Sequence, residues 1–391
     1  MITEKLVIEN FAGLNYIDIE IKKINILIGP QASGKSIIAK ILFYCKGLIS
    51  KILTQGMNRK GKREFDQELK TTFAEYFPMD SWGEKSFSIC YYIGEEYIKI
   101  KSSKTSNNFF NIEYSDFYKN SFNRVREKSK QIQKKFEEEE EHNQTFFSQL
   151  EIEMMFEYRK HFLDEVSQKF SPEVSFSQLF IPAGRLFFAH LHKNIFSFLS
   201  QNNTIDLDPF LVEFGVYYDR VKKIGRMNKS REHKDFKSLD IDSLKNKILV
   251  GQYLQIKGKD YLKMSDGRQI QLSNCSSGQQ EALPLTLILE SIIFFNRGLT
   301  GQSIYIEEPE AHLFPTAQKN IVDLIATVYN STKERSQFFI MTHSPYILTS
   351  FNNLLQAGIL AKNAAKDKLK RIIKIVPKSR FLNTDEMAVY S

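Results

Sequence analysis

The chain has 391 residues, of which 42% are hydrophobic, 26% charged and 13% aromatic, a globular balance that excludes wholesale disorder, collagen-like repeats and small disulfide scaffolds. Fifty-four Lys and Arg against 46 Asp and Glu give a net charge of +8, which suits a nucleic-acid partner and equally an ordinary solvated, lysine-rich surface. The length allows two or three units, or one large α/β domain with insertions.

KLVIEN, YIDIEI and INILIG alternate in the β manner and predict three short strands. After Ser36, SIIAKILFYCKGLISKIL carries apolar residues at helical spacing, so the order is strand, glycine loop, helix. Residues 56–70 are polar and basic and read as a loop leading into a helix. FSICYYIG, EYIKIKS and FNIEYS predict an antiparallel meander with turns at 94–95 and 102–108. From about 120 to 170 there is neither Pro nor Gly, and EEEEE stands at 137–141; long helices, forming a hairpin, are expected. No heptad is sustained there, which favours a solvated helical lobe over a partner-binding coiled coil.

SQLFIPAGR follows as a strand, then mixed helix, with the densest basic stretch at 219–237. ILVGQYLQIKG, YLKMSDGRQIQL and a serine-rich turn lead to a helix at about 279–296, a strand at SIYIEE, a helix near 315–329, a strand at QFFIMTHS and a basic tail. No fixed-period repeat is present. Cys45, Cys90 and Cys275 are widely spaced, with no CxxC pair and no zinc spacing, so a reducing compartment is expected. The apolar stretches at 37–53 and 283–295 are broken by Lys40, Lys46 and Lys51 or by Glu290 and fall short of the ~20 apolar residues of a membrane span. The first residues, MITEKLVIEN, lack a leader pattern, and a cytoplasmic protein with no membrane partner is the expectation.

Gly29, Pro30, Gln31, Ala32, Ser33, Gly34, Lys35 and Ser36 fit the G-x-x-x-x-G-K-[ST] phosphate loop, between a strand and a helix as that motif requires. Glycines let the backbone wrap a triphosphate closely, and the amides there and at the helix start point donors at anionic oxygens. Lys35 is placed to reach the β and γ phosphates of ATP, and the Ser36 hydroxyl to hold Mg²⁺. SIYIEEPEAHLFP ends a strand on two acids before Pro309. Glu307 is the expected Mg²⁺ ligand, and Glu308 the group that orients or deprotonates the attacking water, because successive strand side chains point opposite ways. His343, closing the QFFIM strand, is a candidate γ-phosphate sensor, which makes Glu308, His343 and Lys35 the candidate catalytic groups. Ser276, Ser277, Gly278 and Gln279 open the apolar helix that follows; locally they read as an N-cap exposing helix amides.

The order of GPQASGKS, CSSGQ, YIEEPE and MTHS resembles the heads of ABC-type ATPases over the whole chain. SSGQ followed by Glu281, EEPEAHLFP and THSPYIL are similar to the overcoming-lysogenization-defect (OLD) and RecF-like branch, and LVIENFAGL, GPQASGKS and FIPAGR resemble ATPases of antiphage systems, including Septu-type and retron-associated ones. The resemblance implies an α/β P-loop NTPase of ABC-ATPase head type: a mixed β-sheet domain spanning 1–391, with a helical insertion at 118–172 and a basic helical or loop insertion at 205–248. It also implies a homodimer or higher even oligomer in which Ser276, Ser277, Gly278 and Gln279 bind the nucleotide held by the partner's glycine loop. Pro309, Glu310, Ala311 and His312 fall where the family has its subunit-communicating D-loop, and Arg185 is a candidate nucleotide or interface contact. The segment after His343 is too short and too basic for the TOPRIM nuclease of many OLD proteins, so a separate nuclease effector chain is expected. The function implied is an antiphage ATPase switch; the alternative is a RecF-like DNA-repair or structural ATPase contacting DNA or RNA through 219–237 and the tail.

Overall fold

A computed structural model describes residues 3–105, 108–139, 144–189, 207–228, 240–295, 299–332 and 335–391. In chain order the strands are β1 (Glu4–Phe11), β2 (Leu14–Ile21), β3 (Ile24–Ile28), β4 (Ser88–Ile93), β5 (Glu96–Thr105), β6 (Asn108–Tyr114), β7 (Ser177–Ile181), β8 (Gln252–Ile256), β9 (Lys259–Lys263), β10 (Gln269–Gln271), β11 (Gln302–Glu307), β12 (Ser336–Thr342) and β13 (Met387–Tyr390). The helices are α1 (Lys35–Lys46), α2 (Leu48–Met57), α3 (Lys62–Tyr76), α4 (Asp116–Glu139), α5 (Gln144–Lys169), α6 (Pro209–Asn228), α7 (Ile241–Leu249), α8 (Ser277–Phe295), α9 (Pro315–Ser331), α10 (Pro345–Lys362) and α11 (Lys366–Ile375). The chain divides into two compact units: Met1–Ile21, Ala32–Gln178 and Leu299–Ser303 make the first, and Lys22–Gln31, Leu179–Gly298 and Ile304–Ser391 the second.

The first unit holds an antiparallel sheet of order β2-β1-β4-β5-β6. In β1, Leu6, Ile8 and Phe11 are buried, with Leu6 opposite Tyr91 and Ile8 opposite Ile89. Phe11, Phe73, Phe77, Trp82 and Phe87 form an aromatic core with ring centroids 4.8 to 6.5 Å apart. Glu4 is buried, but it accepts from Lys46 Nζ at 2.5 Å and from the Tyr91 hydroxyl at 2.7 Å, so the charge is paired.

The helix read through residues 36–53 is divided into α1 and α2 at Gly47, which keeps right-handed helical angles and bonds its N–H to Phe43 O at 3.1 Å. α2 then runs to Met57, shortening the expected loop. A Cβ on Gly56 would lie 2.8 Å from Val125 Cγ1, so the missing side chain lets α2 approach α4 closely. α4 buries Phe122, Val125, Ser129 and Ile132, a helical stripe, and Arg124 bonds Glu165 of α5 at 2.7 Å. Residues 140 and 141 of the acidic run, and 106 and 107 of the turn expected at 102–108, lie outside the described residues.

The second unit contains a sheet of order β13-β3-β12-β11-β7 and a small antiparallel sheet of order β10-β9-β8. β3 runs parallel to β12, with Ile26 opposite Ile340 and Ile28 opposite Thr342. β12 is buried throughout and β3 and β11 nearly so, which is why their sequences are continuous apolar runs rather than alternations. Ile26, Ile306 and Phe338 pack with Leu283 and Ile288 of α8 and Ile325 of α9 in one core.

The basic tail is more structured than its sequence implies. It contains α11 and β13, and β13 pairs parallel with β3 in the register Ala388 to Asn25. Arg380 donates from Nη1 to the buried Asp323 Oδ2 at 3.0 Å, and the backbone of Leu382 passes against Gly358, where a Cβ would collide with the Leu382 carbonyl. Of the basic stretch at 219–237, residues 219–228 belong to α6 and 229–237 lie outside the described residues; Lys222 is ion-paired with Asp260 at 2.5 Å. Residues 205, 206 and 229–239 of the insertion expected at 205–248 also lie outside them.

Candidate nucleotide site

The glycine loop leaves the end of β3, where Gly29 N–H donates to Thr342 O at 3.4 Å. Ala32 (φ 61°) and Gly34 (φ 86°) are left-handed, which favours glycine at 34, and a Cβ there would also displace the Leu14 side chain. Gly34 is the residue before α1 and offers no side-chain cap, which leaves the first amides of α1 without a capping side chain. Lys35 is buried and donates from Nζ to Ser33 Oγ at 3.0 Å, while Ser36 is exposed. An uncapped helix start with a cation and a hydroxyl beside it is a donor set that fits a phosphate chain.

β11 ends at Glu307, and Glu308 has left the strand with φ 42° just before Pro309. The expected alternation of two strand side chains is therefore replaced by a sharp backbone turn. Glu307 is buried and its Oε2 accepts from Ala183 N–H at 3.1 Å. Glu308 donates its N–H to Met341 O at 2.8 Å and places Oε1 3.2 Å from His343 Nε2. His343 Nδ1 lies 2.9 Å from Gly29 O. A carbonyl only accepts, so the Gly29 contact is a hydrogen bond in the tautomer with the proton on Nδ1. The His343 N–H is held by Glu310 Oε1 at 2.7 Å. Gly29, Glu308, Glu310 and His343 thus meet where β3, β11 and β12 end, the edge at which open α/β sheets bind ligands.

The serine turn is a capping box. Ser276 N–H and Oγ both donate to Gln279 Oε1 at 3.1 Å, Gln279 N–H returns to Ser276 Oγ at 3.4 Å, and Gln279 Nε2 donates to Leu249 O at 2.8 Å. Gln279 is therefore engaged inside its own chain, while Ser276 and Ser277 are exposed. Gly278 is buried, and a Cβ on it would stand 2.5 Å from His312 O, in a turn where His312 itself has φ 58°. The signature turn and the Pro309 to His312 turn touch backbone to backbone.

The residues that hold this arrangement were not singled out as a set by sequence. Arg185 is 1% exposed and Glu281 2% exposed. Arg185 Nη1 donates to Glu307 O and to Pro182 O at 2.7 Å, Nη2 to Glu308 O at 2.9 Å, and Nε to Glu281 O at 3.2 Å. Glu281 accepts from the N–H groups of Arg185 (3.0 Å) and Leu186 (3.1 Å). The expectation of a nucleotide or interface contact for Arg185 is corrected: its donors are occupied by backbone carbonyls of its own chain. Desolvation pushes its pKa down, opposed first by the Glu281 carboxylate and then by Glu307 and Glu308. The available signal was a Glu at the head of the apolar run EALPLTLIL and an Arg directly after a Pro-Ala-Gly turn.

Residues 1–348 match the model of the AAA ATPase domain family. The chain belongs to that family. Its fold is α/β, with one parallel-paired and two antiparallel sheets and a glycine loop between β3 and α1. Solved structures similar to this ATPase include an SMC head bound to the C-winged helix domain of ScpA, at TM-score 0.40 and 13% identity over 89% of this chain and 91% of that one. An SMC head with an extended coiled coil bound to the C-terminal domain of ScpA, derived from Pyrococcus furiosus, gives TM-score 0.36 and 13% identity over 89% and 91%. The SMC head domain from Thermotoga maritima gives 0.36 and 13% over 90% and 92%. No curated protein matches the chain. Among the described residues of the ATPase, no helix is long and apolar enough to cross a membrane.

Proposed function

We propose that this ATPase is a nucleotide-driven switch that binds and hydrolyses ATP and dimerises on it. The placement of His343 between Gly29, the first residue of the glycine loop, and Glu308 supports this reading most strongly. Lys35 and the α1 amides bind the phosphates. The Ser36 hydroxyl and the Glu307 carboxylate are oxygen donors of the kind Mg²⁺ takes, and Mg²⁺ would offset phosphate charge when bound. Glu308 Oε1 takes the proton of the attacking water, and His343, held at Gly29 O through Nδ1, donates to the γ-phosphate when Nε2 is also protonated. Ser276, Ser277 and Gly278 act on the nucleotide of the partner copy, a role the exposed position of Ser276 and Ser277 beside the helix start permits. Gln279 contributes by capping α8.

The OLD-like motifs SSGQ, EEPEAHLFP, THSPYIL and FIPAGR support placing this switch in a bacterial antiphage complex, where its state controls a separate effector, a nuclease. The RecF-like alternative leans on 219–237 for DNA or RNA, and the Lys222 charge of that patch is already paired with Asp260. Light scattering with and without Mg-ATP tests the switch. Glu308→Gln is expected to double in mass and stay doubled, and Lys35→Ala to stay monomeric. Equal hydrolysis by wild type and Glu308→Gln would overturn the assignment.

A further inference from the structure

We propose that Arg185 and Glu281 form a relay, within one chain, from the signature turn to the acid pair, with Arg185 as its positioning residue; this rests on the switch reading above. Glu281 lies in the first turns of α8, directly after the capping box of Ser276 and Gln279. Its carboxylate grips the backbone N–H groups of Arg185 and Leu186, and Arg185 in turn grips the carbonyls of Glu307 and Glu308. The same 182–186 segment holds the Glu307 carboxylate through Ala183 N–H. Both side chains of the pair are sealed from solvent, so neither can trade its partner for water when α8 moves.

Glu308 sits at φ 42°, a conformation a non-glycine residue keeps only when its surroundings impose it, and Arg185 Nη2 holds the carbonyl of that residue at 2.9 Å. A displacement of the α8 start, as when a partner's nucleotide docks on Ser276 and Ser277, is carried by Glu281 to Arg185 and then to the backbone that aims Glu308 Oε1. Gly278 also packs closely against His312 O, so the same helix start abuts the turn after the acids. Each copy's acid pair is thereby set by occupancy of its own signature turn, which couples the two nucleotides of a dimer. A lysine at 185 keeps the cation but has one nitrogen, which cannot serve Pro182, Glu281, Glu307 and Glu308 carbonyls together.

The test compares full-length wild type, Glu308→Gln, Arg185→Lys, Glu281→Gln and Ile325→Val, the last a core truncation that lowers stability without touching the relay. ATP affinity by calorimetry, lifetime of the ATP-bound dimer by light scattering after a chase, and hydrolysis rate per bound nucleotide are measured, with the ATP Hill coefficient. Arg185→Lys is expected to bind ATP within about twofold of wild type, to hydrolyse about tenfold or more slowly per bound nucleotide, to hold its dimer correspondingly longer, and to lose cooperativity. Glu281→Gln, which keeps its volume, approaches the pair from the other end and carries the test should Arg185→Lys not fold. Rates, lifetimes and Hill coefficients equal to those of wild type or Ile325→Val would overturn the relay while Glu308→Gln still traps a dimer. If wild type takes up no ATP, or Glu308→Gln forms no lasting dimer, the switch reading falls and the relay with it.

Discussion

Gly278→Ala separates two reasons for a glycine in the signature turn: room for a partner's phosphate, or room for this chain's own backbone. The new Cβ would stand 2.5 Å from His312 O and 3.3 Å from His312 C and Leu313 Cδ2. Ordinary C···O approach is about 3.3 Å or more, so the overlap is about 0.8 Å. It falls on main chain, in a turn closed by Leu313 N–H to Glu310 O at 2.9 Å, with His312 already left-handed. Overpacking of this kind costs about 1–3 kcal/mol, and alanine's helix preference returns at most about 1. The nucleotide-free chain should lose about 1–2 kcal/mol, a fall of roughly 2–8 °C in the melting midpoint of a unit this size. Ser277→Ala, at an exposed position, should stay within about 0.5 kcal/mol of wild type. The assay is thermal or urea unfolding without nucleotide. An unchanged or raised midpoint for Gly278→Ala would show that the turn does not press on His312 and would remove the intrachain bridge between the signature and the acid pair.

Truncating Arg380 to Met strands the buried Asp323 with Lys319 alone (2.7 Å), and unfolding stability should drop by about 3 kcal/mol, with proteolysis of the 378–391 segment as a second check. Burial pushes the phenols of Tyr44, Tyr118 and Tyr218 and the thiol of Cys45 upward, so the folded chain holds these protons more tightly than the unfolded one. Their stabilisation is complete below about pH 8.5 and is lost as pH rises through the thiol and then the phenol range, so urea midpoints should fall from pH 8 to pH 10.5; a rise would contradict the buried assignments. Burial also raises the Cys275 pKa, so its alkylation in the native chain should lag a free thiol at pH 8 and speed up at higher pH. A rate equal to that of a free thiol at pH 8 would place Cys275 outside the packed serine turn.

The strand-end positions of the glycine loop, the acids and the histidine were legible because each follows a strand whose apolar run is long enough to read: INILI, SIYIE and QFFIMT. What escaped has a physical pattern. The Glu308 conformation depends on a carbonyl clamp from Arg185, over 120 positions away in sequence, and no local periodicity records such a bond. Gly47 sits inside an otherwise helical pattern, where one glycine is tolerated as often as it breaks the helix, so the division of α1 from α2 could not be read. MAVY is too short to show alternation, and its strand is created by pairing with β3 rather than by its own composition. Gln279 reads as a phosphate ligand in a motif and as a capping residue in space, because the same amide that would meet a ligand closes the S-x-x-Q box.

The most direct measurement of whether two copies share each nucleotide is a mixing experiment on the Glu308→Gln background. One chain carries Lys35→Ala and the other Ser277→Arg, so that each alone lacks half of every site. Combined, they complete one site, from the glycine loop of the second chain and the serine turn of the first. With Mg-ATP, light scattering should show each chain alone at monomer mass and the mixture at dimer mass. A mixture that stays monomeric while Glu308→Gln alone dimerises, or a Ser277→Arg chain that dimerises by itself, would contradict the shared site.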